Sequence, residues 1–183
     1  MKVLILYWTK TGNTRKVAEA IYKGIKTEGV EVVIKMLEDA QEENLYNYDL
    51  VFLGAPSHMW QPPEPVKQYI DLKMKQHRDR GDIKLGAPKI PGKISIVFCT
   101  YSGPHTGINE AIPAGKSLGQ FLEHIGFEVR DEWYIVGEFH GREDLSTKGR
   151  LGYIKGRPNA DDLLKVEKDT QELVRFLLQS PNN

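Results

Sequence analysis

The sequence predicts an α/β fold: a doubly wound parallel sheet of five strands with helices on both faces. Three observations carry that expectation. Five apolar runs of strand length alternate with stretches of helical periodicity. The runs give way to loops rich in glycine and proline. The first run, Val3-Leu4-Ile5-Leu6-Tyr7-Trp8, leads straight into a hydroxyl-rich turn, Thr9-Lys10-Thr11-Gly12-Asn13-Thr14, and then a helix. In open sheets of this kind ligands bind beyond the carboxyl ends of the strands, where strand order reverses.

Composition sets the bounds. At 183 residues the chain is expected to be one domain, 1–183, with a substantial core. Lys plus Arg and Asp plus Glu both count 25, so formal charge is zero and neither nucleic acid nor a membrane surface is an expected partner. The single cysteine, Cys99, excludes an internal disulfide and suits a reducing, cytoplasmic setting. The N-terminal apolar run is too short to span a bilayer and lacks a cleavage region, so it reads as a strand and no membrane insertion is expected.

The first helix is expected over 13–28, with Val17, Ala18, Ile21 and Ile25 on one face and Gly29 as its C-cap. Residues 30–34 form a β-branched second strand, and the alternation of Glu31 and Lys35 with apolar residues puts it near an edge. The acidic stretch 38–47 is a short helix or a loop. A third strand over 49–53 is expected to break at Gly54-Ala55-Pro56, followed by a proline-rich loop over 57–63. The next helix covers 64–77, with Pro65 in its first turn and Val66, Tyr69, Ile70 and Met74 facing the core.

Residues 78–92, with three glycines and two prolines among many charges, read as a connection. The basic residues from Lys73 to Lys93 read as a solvated face. A fourth strand covers 94–98 and a loop 100–107. Leu118, Phe121, Leu122 and Ile125 mark a helix that stops at Gly126. The fifth strand covers 127–136, and a long Gly- and charge-rich segment, 137–159, follows. The last helix starts near Asn159 or Asp161 and buries Leu163, Val166, Leu173, Val174 and Leu177, with fraying from Ser180 onward.

The chemistry starts at the turn after the first strand. Backbone N–H groups and the positive helix end there can hold a phosphate, three threonine hydroxyls add uncharged donors, and Gly12 permits close approach. The bland alternative is a capped helix start with Asn13 or Thr11 as N-cap. The turn lacks the first glycine and the lysine of a Walker loop, and two of the three glycines of a dinucleotide loop. No cysteine stands in it, as a low-molecular-weight phosphatase needs, and no paired acids follow the first strand, as a receiver domain needs. No catalytic side chain and no metal ligand set is expected. Cys99 reads as a small core residue, and His77, His124 and His140 show no ligating pattern.

Thr9-Lys10-Thr11-Gly12-Asn13-Thr14 matches the T-x-T-G-N-T phosphate loop of flavodoxin-like FMN-binding proteins without a gap. The loop Gly54-Ala55-Pro56-Ser57-His58-Met59-Trp60 resembles that family's first flavin-flanking loop. Residues Cys99-Thr100-Tyr101-Ser102-Gly103-Pro104-His105-Thr106-Gly107 resemble the second. Gly156-Arg157-Pro158-Asn159 resembles the lead into the family's last helix. The resemblance implies strand order 2-1-3-4-5 and bound FMN. Trp60 is then the candidate to stack on the flavin, since it is otherwise exposed among prolines. Tyr101 is a second candidate for stacking or edge contact, with His105 or Met59 the alternatives for that space, and His58 and His105 are either donors to the ring or solvated loop residues. Backbone N–H groups around Ser102, Gly103 and Thr106 are candidates for the pyrimidine edge, and a peptide carbonyl at Ser57-His58 for flavin N5.

Two function classes follow from the resemblance. One is an FMN-binding electron carrier that docks to redox partner proteins. The other is an FMN-dependent NAD(P)H:quinone oxidoreductase using NAD(P)H and a small acceptor, and a homo-oligomer is compatible with it. Carriers of this family are usually acidic, so zero net charge and the long segments 78–93 and 137–159 lean toward the enzyme.

Overall fold

The computed structural model describes residues 1–179, so the fraying expected from Ser180 lies outside the described residues. Strands β1 (Lys2–Tyr7), β2 (Glu31–Met36), β3 (Leu50–Pro56), β4 (Ile94–Tyr101) and β5 (Glu128–Val136) pair in parallel in the order β2-β1-β3-β4-β5. Helices α1 (Asn13–Thr27), α2 (Glu64–Asp79), α3 (Ile112–His124), α4 (Glu143–Thr147) and α5 (Ala160–Gln179) complete the chain. The acidic stretch after β2 forms two single 3₁₀ turns, Leu37–Asp39 and Leu45–Asn47.

The apolar runs are unbroken because each central strand is buried on both faces. Val3, Ile5, Phe52, Ile96 and Phe98 pack under α1 and α5, while Leu4, Leu6, Val51, Leu53 and Val97 pack under α2 and α3. Alternate residues thus feed two cores, as a period of two requires. β2 lies at an edge, in keeping with its charged alternation. Helices α1 and α5 touch closely at Gly24, where an added Cβ would lie 2.6 Å from the Glu167 carbonyl and 2.8 Å from Thr170 Cβ.

Three expectations are corrected. β3 continues through Gly54, Ala55 and Pro56, each paired with β4. Proline is tolerated there because Ser57 N bonds to β4 at Thr100 O, so the N of Pro56 points to the other side, where β1 has already ended. β4 likewise runs on to Tyr101, which carries the loops after β3 and β4 farther beyond the sheet. Finally, Lys73 is not a solvated charge. Its side chain is buried, and its ammonium donates to the main-chain carbonyls of Gln41 (2.6 Å) and Glu43 (2.7 Å), tying the 3₁₀ segment to α2. A long stem with three donors suits that task.

The long segment after β5 is a folded flap. Ser146 of α4 accepts the Phe139 amide at its hydroxyl and the Ile154 amide at its carbonyl, and the Arg150 amide reaches Pro104 in the β4 loop. The α5 start is closed by a reciprocal box: the Asp162 amide donates to the Asn159 side chain and the Asn159 amide to the Asp162 carboxylate.

Candidate functional site

The strand order reverses between β1 and β3, and a cavity of ≈ 640 Å³ opens there. Its size falls within the roughly 300–1,000 Å³ of small-molecule sites. All the predicted site residues except Gly12 and Thr106 line it: Thr9, Lys10, Thr11, Asn13 and Thr14 after β1, Pro56 to Trp60 from the last residue of β3 onward, and Thr100 to Gly103 with His105 from the end of β4 onward. A larger depression of ≈ 780 Å³ follows the outer edge of β5 against α5. Its walls mix apolar and charged side chains and include none of the three loops.

The first loop is a turn that leads into a helix start without a side-chain cap. Gly12, at φ 100°, is the N-cap of α1 and supplies no side-chain cap, and the first turn holds no acidic residue. Asn13 and Thr11 are therefore not the capping side chains. The Thr9 hydroxyl accepts the Gly12 amide at 3.0 Å and closes the turn. The Thr14 hydroxyl meets that of Thr100 at 2.8 Å, both fully buried, which locks the loop to the end of β4. An uncapped helix start without acids stabilises an anion through its amides and macrodipole.

The second loop is a tight turn in which the His58 and Gln61 amides each donate to the other residue's carbonyl, at 2.9 and 3.0 Å. Met59 (φ 49°) and Trp60 (φ 65°) occupy its centre in the left-handed region, as a type I′ turn demands. Such backbone costs energy for residues with a Cβ, and here it holds two large apolar side chains out at the cavity rim, 79% and 54% exposed. The His58 ring packs edge-on to Trp8 at 6.0 Å. Burial, then the charge of Lys10, lower its pKa and favour the neutral ring.

In the third loop Gly103 (φ 50°) has no room for a Cβ, which would sit 2.5 Å from the Gly107 carbonyl oxygen. The Ser102 hydroxyl donates to Gly137 O at 2.8 Å. The amides of His105 and Thr106 both donate to one carboxylate oxygen of Glu110, at 2.7 and 2.6 Å, so the Thr106 amide is engaged and its side chain lies off the wall. Tyr101 is half-buried in the wall, and burial raises its pKa. Cys99, beneath the loop, is fully buried with its thiol pushed up to about 12 by burial, which makes it a core residue.

Pro104, from the loop after β4, also lines the cavity, as do Glu110, Glu138, Phe139, His140 and Leu145, which had no signature in the sequence. The only hint was that the segment after β5 is too long for a plain connection.

A helix start without a side-chain cap, joined to an aromatic-rimmed slot at the switch point of a doubly wound sheet, is the place where open α/β folds bind small ligands. Comparison with known proteins narrows this. A family model described as Flavodoxin domain matches residues 4–80. The flavodoxin of Aquifex aeolicus (strain VF5) is 34% identical over 162 residues, covering 88% of this chain and 78% of that one. An NAD(P)H dehydrogenase (quinone) of Archaeoglobus fulgidus is 26% identical, covering 88% and 90%. Among solved structures, oxidised Flavodoxin 1 from Bacillus cereus superposes with a TM-score of 0.66 at 17% identity, over 96% of this chain and 98% of that one. The chain belongs to the flavodoxin family and is a flavodoxin-like redox protein, and that membership implies a flavin cofactor. No helix among the described residues is long and apolar enough to cross a membrane.

Proposed function

We propose that the protein, acting as one domain in a reducing cytoplasm, binds FMN and passes electrons between redox partner proteins. One observation carries this reading: a single cavity runs from the uncapped start of α1 to the exposed faces of Met59 and Trp60. Residues Thr9 to Thr14 would hold the phosphate, Trp60 and Tyr101 the ring faces, and Ser102 and Gly103 the pyrimidine edge. Bound there, the flavin supplies reversible electron uptake. The chain's own part is to orient and desolvate. Trp60 adds stacking area and excludes water from one face. The Thr14–Thr100 contact holds the loop in its anion-binding shape without a permanent charge. The rim formed by Met59 and Trp60 leaves one edge of the slot open to a partner.

Titrating the purified protein with riboflavin 5′-phosphate, riboflavin and FAD while following flavin fluorescence tests the cofactor. FMN is expected to bind tightest, and equal affinity for riboflavin would reject the phosphate assignment.

A second reading, an FMN-dependent NAD(P)H:quinone oxidoreductase, is favoured by the flap 137–159, which adds Phe139 and His140 to the cavity wall, and by a quinone-dehydrogenase relative aligned over 90% of its length. Mixing FMN-loaded protein with NADH or NADPH without oxygen separates the two. A carrier keeps its flavin absorbance over minutes. Rapid bleaching followed by quinone turnover assigns the enzyme.

A further inference from the structure

The cradle after β1 has no basic side chain of its own bonded within it, but the flap brings one to its edge. His140 lines the cavity with its ring between two oxygens. Nδ1 lies 3.0 Å from Glu138 Oε1, and Nε2 lies 3.3 Å from Asn13 Oδ1. A carboxylate can only accept, and the second oxygen of Glu138 already accepts the Gly156 amide. The Asn13 amide is oriented by its own nitrogen, which donates to the Glu138 main-chain carbonyl at 3.1 Å. Flipping that amide would set two carbonyl oxygens against each other. With an acceptor beside each ring nitrogen, the imidazole is held on both sides and aimed at the start of α1.

The arrangement is built rather than incidental. A Cβ at Gly137 would lie 2.6 Å from the Asn13 amide nitrogen, so only glycine leaves room for the Asn13 link. Asn13 is the first residue of α1, whose start lacks acid and cap alike. We infer that His140, aimed by Glu138 and Asn13, is the side chain that hydrogen-bonds a flavin's phosphate at the edge of the cradle. The 3.3 Å bond to Asn13 is the one a phosphate oxygen can replace. The inference rests on the FMN reading above.

The charged surroundings of His140 are few. Glu138 stands on its own segment, and behind Glu138 lies Lys155, paired with Glu143 at 2.7 Å. Arg157, whose carbonyl accepts the Glu138 amide, is paired with Asp162. Lys10, His58, His105 and Glu110 line the same cavity, and the contact on α1, Asn13, is uncharged.

The test is the ratio of FMN to riboflavin affinity, read by fluorescence at pH 7, where the phosphate monoester (second pKa about 6) is mostly dianionic. His140→Gln should lower the ratio roughly tenfold, as expected for one lost charge-assisted bond, and leave riboflavin affinity unchanged. Glu138→Gln, which loosens the hold on the ring, should lower the ratio by less. His140→Lys should restore the ratio.

If His140→Gln keeps the wild-type ratio, or lowers both affinities equally, the inference is wrong and FMN binding stands. If the wild type itself does not distinguish FMN from riboflavin, the phosphate assignment has failed first.

Discussion

The Thr14–Thr100 contact makes a quantitative test of how the phosphate loop is held. The two hydroxyls are 2.8 Å apart, with the residues 1% and 2% exposed, and each is the other's side-chain partner. Replacing either by valine keeps the shape and leaves one buried hydroxyl unpaired, at a cost of about 1–3 kcal/mol. Replacing both removes both polar groups, and the double variant should return to within about 1 kcal/mol of wild type. The two single costs should therefore exceed that of the double variant by at least about 1 kcal/mol, a coupling of the size seen for residues in direct contact. Urea unfolding of apo-protein for wild type, Thr14→Val, Thr100→Val and the double variant measures it. A domain of this size should lose about 2–4 °C in Tm per kcal/mol. If the two single effects simply add, the contact is not what fixes the loop, and the reasoning about the cradle fails. The double variant is also expected to bind FMN more weakly despite its near-normal stability, because it has lost a hydroxyl from the cradle.

Three further outcomes follow from particular contacts. Trp60→Ala should leave apo-protein stability within about 0.5 kcal/mol, since the ring is 54% exposed, yet weaken FMN by about 1–3 kcal/mol, and an unchanged FMN affinity would remove Trp60 from the site. Gly24→Ala would ordinarily stabilise a helix by about 1 kcal/mol, but here the new Cβ meets the Glu167 carbonyl at 2.6 Å, so thermal melts should show a net loss of about 1–3 kcal/mol. The third concerns acid. Burial holds the His77 ring below its ordinary pKa against the opposing pull of Asp82, and burial and Lys10 do the same to His58. The unfolded chain then binds more protons than the folded one below about pH 6.5, so this stabilisation is complete above that pH and is lost as pH falls through the lower folded values. Urea midpoints should drop between about pH 7 and 5, and a His77→Gln, His58→Gln double variant should flatten that drop; an unflattened slope would place the effect elsewhere.

The cradle and the rim differ in how they are specified. Residues Thr9 to Thr14 are contiguous, follow a strand, and present the main-chain amides of a strand–turn–helix, so their place at the cavity was legible as text. Trp60 was legible for a related reason: a tryptophan among prolines has no neighbouring apolar pattern to join. His140 was not legible. It meets Asn13 across 127 positions of chain, and Glu138 meets the same residue across 125, by contacts that exist only once the flap has folded onto α1. Lys73 shows the same limit in reverse. In a run of lysines and arginines it reads as solvated, and only the docking of the 3₁₀ segment on α2 gives its ammonium two carbonyls to satisfy.

What the sequence determined by itself is local in origin: the five strands and four of the five helices among the described residues, a parallel sheet buried on both faces, and the hydroxyl-rich turn at the end of the first strand. Periodicity, turn residues and two-sided burial act over short stretches, so they survive as pattern. The tertiary structure decided the rest: that β3 and β4 run on to carry their loops outward, that the segment after β5 folds back as a wall, and that a histidine meets the start of α1. Those features depend on which distant groups meet in space, and the order of residues along a chain does not record that.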